Sequence, residues 1–152
     1  MKLSGFTFIE VILTVALMIF IGIIASPFYG NFLFGQEAEK TSAELRESLT
    51  KARSYSMMGK GNDQWGVALD AERIVLFKGS SLSGHDPVFD EAYPLHDLVT
   101  VTGLSEVVFE RGTGTPSSQP TITITFYGNS DTPTTHTHTL TINAAGVVDE
   151  TP

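Results

Sequence analysis

Residues 37–58 read EAEKTSAELRESLTKARSYSMM, and the spacing of the small and apolar side chains in this stretch predicts an amphipathic helix. These side chains recur every three or four residues, which places them on one face of a helix: Ala38, Leu45, Leu49, Ala52 and Ser56. Acids dominate the first half of the stretch and bases the second half, as the helix dipole favours. Gly59 follows and is expected to end the helix, because glycine adopts a left-handed C-cap without strain. The apolar stripe is small, so the rest of the chain must cover it.

The segment before this helix is strongly apolar. The 29 residues from Phe6 to Phe34 contain one charged side chain, Glu10, and the 26 residues from Val11 to Gln36 contain none. A helix of 26 residues would be ~39 Å long, whereas a bilayer core needs ~20 residues. Residues 6–36 therefore predict a transmembrane helix. Lys2 precedes the helix and acids follow it, which predicts a cytoplasmic N-terminus and an exported C-terminal head.

A secretory signal peptide is the first alternative for this segment. Its apolar region would be about 7–15 residues long and would end at a small-x-small cleavage site. The chain offers only Ala25-Ser26-Pro27, and apolar residues resume beyond it. A signal peptide also gives Glu10 no role, whereas a charge inside a membrane segment is costly and indicates a partner. The sequence disfavours this alternative.

Gly5-Phe6-Thr7-Phe8-Ile9-Glu10, followed by an apolar run, resembles the processing site of type IV prepilins and type II secretion pseudopilins. The resemblance implies that prepilin peptidase cuts between Gly5 and Phe6 and then methylates the amine of Phe6. Glycine suits such a site because its backbone can approach a protease closely. The new amine is expected to pair with Glu10 of a neighbouring subunit, since a wrong register would leave a charge unpaired. Lys2 is the only basic side chain before the cut, which is a thin leader for this family.

Pro27 lies inside the apolar run and predicts a helix kink. Proline removes one helix hydrogen bond and clashes with the carbonyl four residues earlier, here that of Ile23. The resemblance also places a helix-weakening proline at this position. A passive kink and a segment that melts during assembly both remain open.

The chain after the helix is rich in β-strand patterns. A hairpin is predicted at Gln64–Asp70 and Arg73–Lys78, and Gly79–Tyr93 is expected to be a loop. Further strands are predicted at Leu98–Val101, Val107–Arg111, Thr121–Tyr127 and His136–Asn143, before a turn into Val147 and Val148. The predicted fold is α+β and pilin-like: a long N-terminal helix, transmembrane in its first half and amphipathic in its second, packed against an antiparallel β-sheet head.

The polar turn at Gly59–Asp63, the hairpin that begins at Trp65 and the ending from Leu140 to Val148 resemble the GspH/FimT-like minor pseudopilins. This resemblance implies three parts: a leader at 1–5, an assembly helix at 6–36 and an exported head at 37–152. It implies a structural subunit of a type IV pilus or a type II secretion-like filament, held in the inner membrane by a single pass. The implied partners are prepilin peptidase, other pilin subunits, an inner-membrane assembly platform and the lipid bilayer.

Composition narrows the remaining function classes. The chain has no cysteine, which excludes disulfides and thiolate chemistry. Its net charge of -8 disfavours nucleic acid as a partner, because such binding depends on Lys and Arg neutralising phosphates. A local patch of Lys51, Arg53 and Lys60 stays open. The alternative function is a membrane-anchored extracytoplasmic binding module, such as an adhesin, a receptor for a secreted substrate or a DNA-uptake component.

Four histidines are the strongest candidates for other chemistry. His136 and His138 lie two apart on a predicted strand and so share a face, but a metal site needs a third ligand. His85-Asp86 and His96-Asp97 suggest parts of a catalytic triad, yet no G-x-S-x-G elbow or phosphate-binding loop accompanies them. We therefore expect no enzyme activity, no catalytic residue, no metal and no cofactor.

Overall fold

A computed structural model describes residues 7–127 and 135–151 of the chain, and the side chains of residues 24–35 are not part of that description. The predicted cleavage site at Gly5 and Phe6 lies outside these residues, and Pro27 falls where side chains are not described. The chain divides into two compact units, Met1–Leu33 and Phe34–Pro152. The boundaries predicted at residues 5 and 36 from the family resemblance stay predictions.

Helix α1 spans Phe8–Met57. Within the second unit, the stripe predicted from the spacing is fully buried: Ala38, Leu45, Leu49, Ala52 and Ser56. Gly59 follows with φ 63°, the left-handed conformation expected of a glycine C-cap. Backbone bonds from Met58 to Ser54 and from Gly59 to Ser56 close the last turn.

Two four-stranded antiparallel sheets follow the helix in the described part of the chain. The first has the order β3-β2-β1-β5 and contains β1 (Trp65–Asp70), β2 (Arg73–Lys78), β3 (Glu91–Pro94) and β5 (Glu106–Phe109). The second has the order β4-β6-β7-β8 and contains β4 (Val99–Thr102), β6 (Thr121–Tyr127), β7 (Thr135–Ile142) and β8 (Val148–Thr151). Short 3-10 turns lie at Lys60–Asn62, Leu82–Gly84 and Pro87–Phe89.

Both sheets contribute to one apolar core with the helix stripe. Its largest fully buried members beyond the helix come from three strands of the first sheet (β1, β2 and β5) and two strands of the second (β6 and β7): Val67, Ile74, Leu76, Val107, Phe109, Ile122, Ile124, Phe126 and Leu140. The opposite face of the first sheet buries a smaller cluster, which Leu82 of the following loop partly covers: Ala68, Val75, Phe77 and Val108.

The predicted membrane span is corrected by the structure. Within residues 7–127 and 135–151, no helix is long and apolar enough to cross a membrane. For the described residues, the transmembrane first half of the predicted fold is therefore wrong, and so is the single-pass inner-membrane location that it implied.

The prediction of a single β-sheet head is also wrong. Alternating burial identifies which strand face is buried, but it does not identify the neighbouring strand, and here the strands separate into two sheets. Strand β5 returns to pair with β1, as Val67 opposite Val107 shows. Strand β4 instead pairs with β6, with Val101 opposite Ile124. The loop predicted at Gly79–Tyr93 also contains the beginning of an unpredicted edge strand, β3, which pairs with β2.

Candidate functional site

The first turn of α1 is closed by a reciprocal pair of bonds between Thr7 and Glu10. The backbone N–H of Thr7 donates to Glu10 Oε2 at 3.4 Å, and the backbone N–H of Glu10 donates to Thr7 Oγ1 at 3.4 Å. This arrangement is a capping box, in which two side chains satisfy backbone donors that the helix leaves free. Glu10 also lies where the positive end of the helix dipole favours a carboxylate. Its side chain therefore stabilises its own helix, a local role that the charge pattern alone did not predict.

The capping box was visible in the sequence. Thr7-Phe8-Ile9-Glu10 matches the S/T-x-x-E pattern that precedes an apolar run. The family resemblance implies roles for Gly5, Phe6 and Glu10 and none for Thr7. Of these residues, the structure describes Thr7 and Glu10 and brings their side chains together.

The helix that follows presents apolar side chains to its surroundings on all sides. From Phe8 to Ile23, the exposed fraction of the large apolar residues ranges from 48% at Ile12 to 81% at Phe8. Exposed apolar surface of this extent marks an interaction site in ordinary proteins. Glu10 is exposed among them and is the only charged residue in that stretch. The second carboxylate oxygen, Oε1, has no hydrogen-bond partner among the described residues.

The head presents a second polar network, which ties α1 to the edge strand β3. Lys51 Nζ lies 2.9 Å from Glu47 Oε1, 3.2 Å from Glu91 Oε2 and 3.3 Å from Tyr93 Oη. The hydrogen bond to Glu47, followed by those to Glu91 and Tyr93, raises the pKa of Lys51 above its ordinary value. Burial raises the pKa of Glu91, but its bonds from Lys51 and Tyr93 outweigh burial and leave that pKa lowered. The network holds charged partners together across α1 and β3.

The two histidines considered for a metal site are not assembled into one. His138 Nδ1 contacts Glu150 Oε1 at 3.2 Å, and the same carboxylate accepts a bond from Ser42 Oγ at 2.6 Å. Glu150 therefore links β8 to both β7 and α1. Across the described residues, no group of three or more His, Cys, Asp or Glu side chains could hold a metal ion. His136 is exposed near the start of β7.

His85 pairs with a carboxylate, but with that of Asp90 rather than its neighbour Asp86. Its Nε2 lies 2.9 Å from Asp90 Oδ2, and its Nδ1 contacts the carbonyl of Leu82. Asp86 instead accepts the backbone N–H of Val88 and caps the turn at Pro87–Phe89. Both ring nitrogens of His85 thus face oxygen acceptors, and only the doubly protonated ring donates to both. The hydrogen bond to Leu82, supported by Asp90 and Asp86, raises the pKa of His85.

This geometry predicts a pH dependence of head stability. Because the folded-state pKa of His85 is raised, its contribution is fully present below the ordinary value of 6.5 and is lost as pH rises through the higher folded pKa. His85→Gln should remove this loss from melting temperatures measured across the pH range. His96→Gln is the matched control, because within the described residues His96 accepts just the backbone N–H of Leu98, in an exposed loop. An unchanged pH profile in His85→Gln would contradict the assignment.

The comparisons with known proteins identify no relative. No protein-family model matches the sequence. No curated protein and no solved structure is significantly similar to it.

Proposed function

We propose that this chain is a structural subunit, a minor pilin or pseudopilin, of a pilus-like or type II secretion-like filament. The observation that carries the proposal is the N-terminal helix, whose described apolar side chains from Phe8 to Ile23 are exposed around a single carboxylate, Glu10. Such a helix requires partners, and helices of the same kind in neighbouring subunits suit it best. Bundling these helices would bury apolar surface, which stabilises the assembly by ~25 cal/mol for each Å² buried.

The Glu10 carboxylate would fix the register between neighbouring helices in this bundle. A charge surrounded by apolar side chains is stabilised only when an opposite charge lies beside it. Cleavage between Gly5 and Phe6 would create an amine one residue before the capping box. Glu10 Oε1 has no partner among the described residues, and the proposal is that it accepts this amine from a neighbouring subunit while Oε2 keeps its bond to Thr7. A carboxylate has enough acceptor positions for both donors.

The head supports the GspH/FimT-like minor subunit as the more specific proposal. Its helix ends in a tight polar turn at Lys60–Asn62, and the β1–β2 hairpin begins directly afterwards at Trp65. Strand β7 leads through a turn at Asn143–Val147 into the short terminal strand β8. The partners proposed with this function are prepilin peptidase, other pilin-type subunits and an assembly platform.

Mass analysis of filament fractions tests the proposal. Filaments sheared from cells that contain prepilin peptidase should hold a chain that begins at Phe6 and carries one methyl group on its amine. Gly5→Leu should block this cut, because the added side chain occupies space that the protease needs. The full-length Gly5→Leu chain should then accumulate and be absent from filaments. A wild-type chain that begins elsewhere, or that is missing from filaments, would contradict the proposal.

A further inference from the structure

Three cationic side chains surround the turn at Gly59–Asn62, and we call them the basic turn: Lys60, Lys78 and Arg111. Lys60 Nζ lies 3.4 Å from the centre of the Tyr55 ring. Arg111 Nη1 donates to the carbonyl of Asn62 at 3.5 Å. Lys78 Nζ lies 3.3 Å from the position that a Cβ at Gly61 would occupy. The three cations therefore meet at the C-terminal end of α1.

The basic turn forms no close ion pair with the rest of the described head. Lys40, Arg46, Lys51 and Arg73 each have a carboxylate oxygen within 4.0 Å. Lys60, Lys78 and Arg111 have no such partner among the described residues. Asp63 follows the turn directly and accepts the backbone N–H of Gln64, and no contact within 4.0 Å joins its carboxylate to one of the three cations among the described residues. These three cations thus lie together without a close ion pair in the described head, in a chain with a net charge of -8.

Negative charge is concentrated at the other end of the part of α1 that belongs to the head. Glu37, Glu39 and Glu44, which we call the acidic end, share one nearby cation, Lys40. Its Nζ lies 3.9 Å from Glu37 and 4.0 Å from Glu44, which are long contacts, and Glu39 is exposed. The helix rises ~30 Å between residue 37 and residue 57. The head is thus polarised, with an acidic and a basic end.

We propose that the basic turn of one copy of this chain docks on the acidic end of a second copy, head to tail. This inference rests on the proposed filament function and names a contact between its subunits. A contact between two different surfaces extends into an open filament when its rotation does not close it into a ring. Exposed Met57 and Met58 flank the basic turn and supply apolar contact for a protein partner. The acidic net charge of the chain counts against a polyanion in this position.

Disulfide trapping tests this contact directly, because the chain has no cysteine of its own. Lys60→Cys chains mixed with Glu39→Cys chains under mild oxidation should form cross-linked dimers at several times the yield of Lys60→Cys mixed with Thr50→Cys. Thr50 is the control position, since it is exposed on the same helix outside the acidic end. The excess yield should fall with added salt, because exposed charges are screened.

Charge reversal separates a specific contact from random collision. Lys78→Glu and Arg111→Glu in the Lys60→Cys chain should abolish the excess yield. Glu37→Lys and Glu44→Lys in the Glu39→Cys chain should restore it with the reversed partner. Variants are compared only after their melting temperatures match the wild type. A yield equal to the Thr50→Cys control, or one indifferent to reversal, would overturn the proposal.

Two outcomes distinguish this inference from the proposed function. A chain that cross-links as expected but never enters filaments retains the head-to-tail contact and loses the filament function. A chain that enters filaments without the cross-link retains the function and rejects the contact. Loss of double-stranded DNA binding on reversal of the basic turn, with no excess cross-link between Lys60→Cys and Glu39→Cys chains, would reject the second copy and assign the surface to a polyanion.

Discussion

Replacing Leu49 with aspartate should unfold the head or leave it barely folded at 25 °C. Leu49 is fully buried in the stripe of α1 and belongs to the core that both sheets share. Removing a buried leucine side chain costs ~2–5 kcal/mol, and a buried, unpaired charge adds a further desolvation cost. The sum is comparable to the ~5–15 kcal/mol that holds a typical domain together.

Urea unfolding measures this effect, with fluorescence of Trp65, the chain's single tryptophan, as the signal. Leu49→Ala should remain folded, with a free energy of unfolding lower by ~2–5 kcal/mol. This variant measures the effect of the site even if the aspartate variant does not fold. Thr50→Asp is the matched control, because it adds the same charge at the next residue, which is exposed. It should change stability by less than ~1 kcal/mol. Equal stability of Leu49→Asp and Thr50→Asp would place the stripe outside the core.

The sequence predicts local structure well where one pattern decides it. The helix stripe followed from three-four spacing, and strands β2 and β6 have the predicted bounds, Arg73–Lys78 and Thr121–Tyr127. In β6, isoleucine and phenylalanine alternate with threonine, and this alternation predicts a strand that is buried on one face. Gly59 was predicted as the C-cap because the left-handed conformation favours glycine.

Strand partners were not predictable in the same way. The apolar faces of the strands are chemically alike, so the alternation of residues does not identify which strands pair. Periodicity therefore leaves open whether the strands form one sheet or two. The edge strand β3 was missed because Glu91–Pro94 includes an acid and a proline, residues that are depleted in strands. It forms because β2 offers a free edge and because Lys51 contacts Glu91 and Tyr93.

The candidate site residues differ in the same way: a local sequence pattern identifies some of them, and the fold alone identifies the partners of others. Glu10 was found by its isolation in an apolar run, and its bond with Thr7 followed a pattern that the sequence also contains. The partner of His85 was not predictable, because Asp90 reaches the ring only through the fold of the intervening loop. Adjacent Asp86 was the obvious candidate by sequence, yet it serves as a turn cap.

Replacing Glu10 with glutamine should strongly reduce filament entry without disturbing the chain's own structure. Glutamine has the same shape and serves in a capping box in place of glutamate, so the first turn of α1 should persist. It lacks the negative charge that would pair with the Phe6 amine of a neighbour. A loss of ~1.4 kcal/mol at each contact reduces association tenfold, and a charge left unpaired among apolar side chains costs more than that.

Thr7→Val is the control that isolates the charge from the cap. It removes the hydroxyl that accepts the N–H of Glu10 and leaves the carboxylate in place. The loss of a cap costs ~0.5–2 kcal/mol of helix stability, so this variant weakens the local structure that Glu10→Gln retains. Methylation of Phe6 must be measured in both variants, because an unmethylated or uncut chain would fail to assemble for a different reason.

The most direct measurement is the amount of each mature, methylated chain in purified filaments relative to its amount in the cell. The account predicts that Thr7→Val enters filaments at close to the wild-type level and that Glu10→Gln falls at least about tenfold. Wild-type entry of Glu10→Gln would contradict the central claim that this carboxylate sets the register of assembly. Equal loss in both variants would also contradict this claim, because removing the cap would then impair assembly as much as removing the charge.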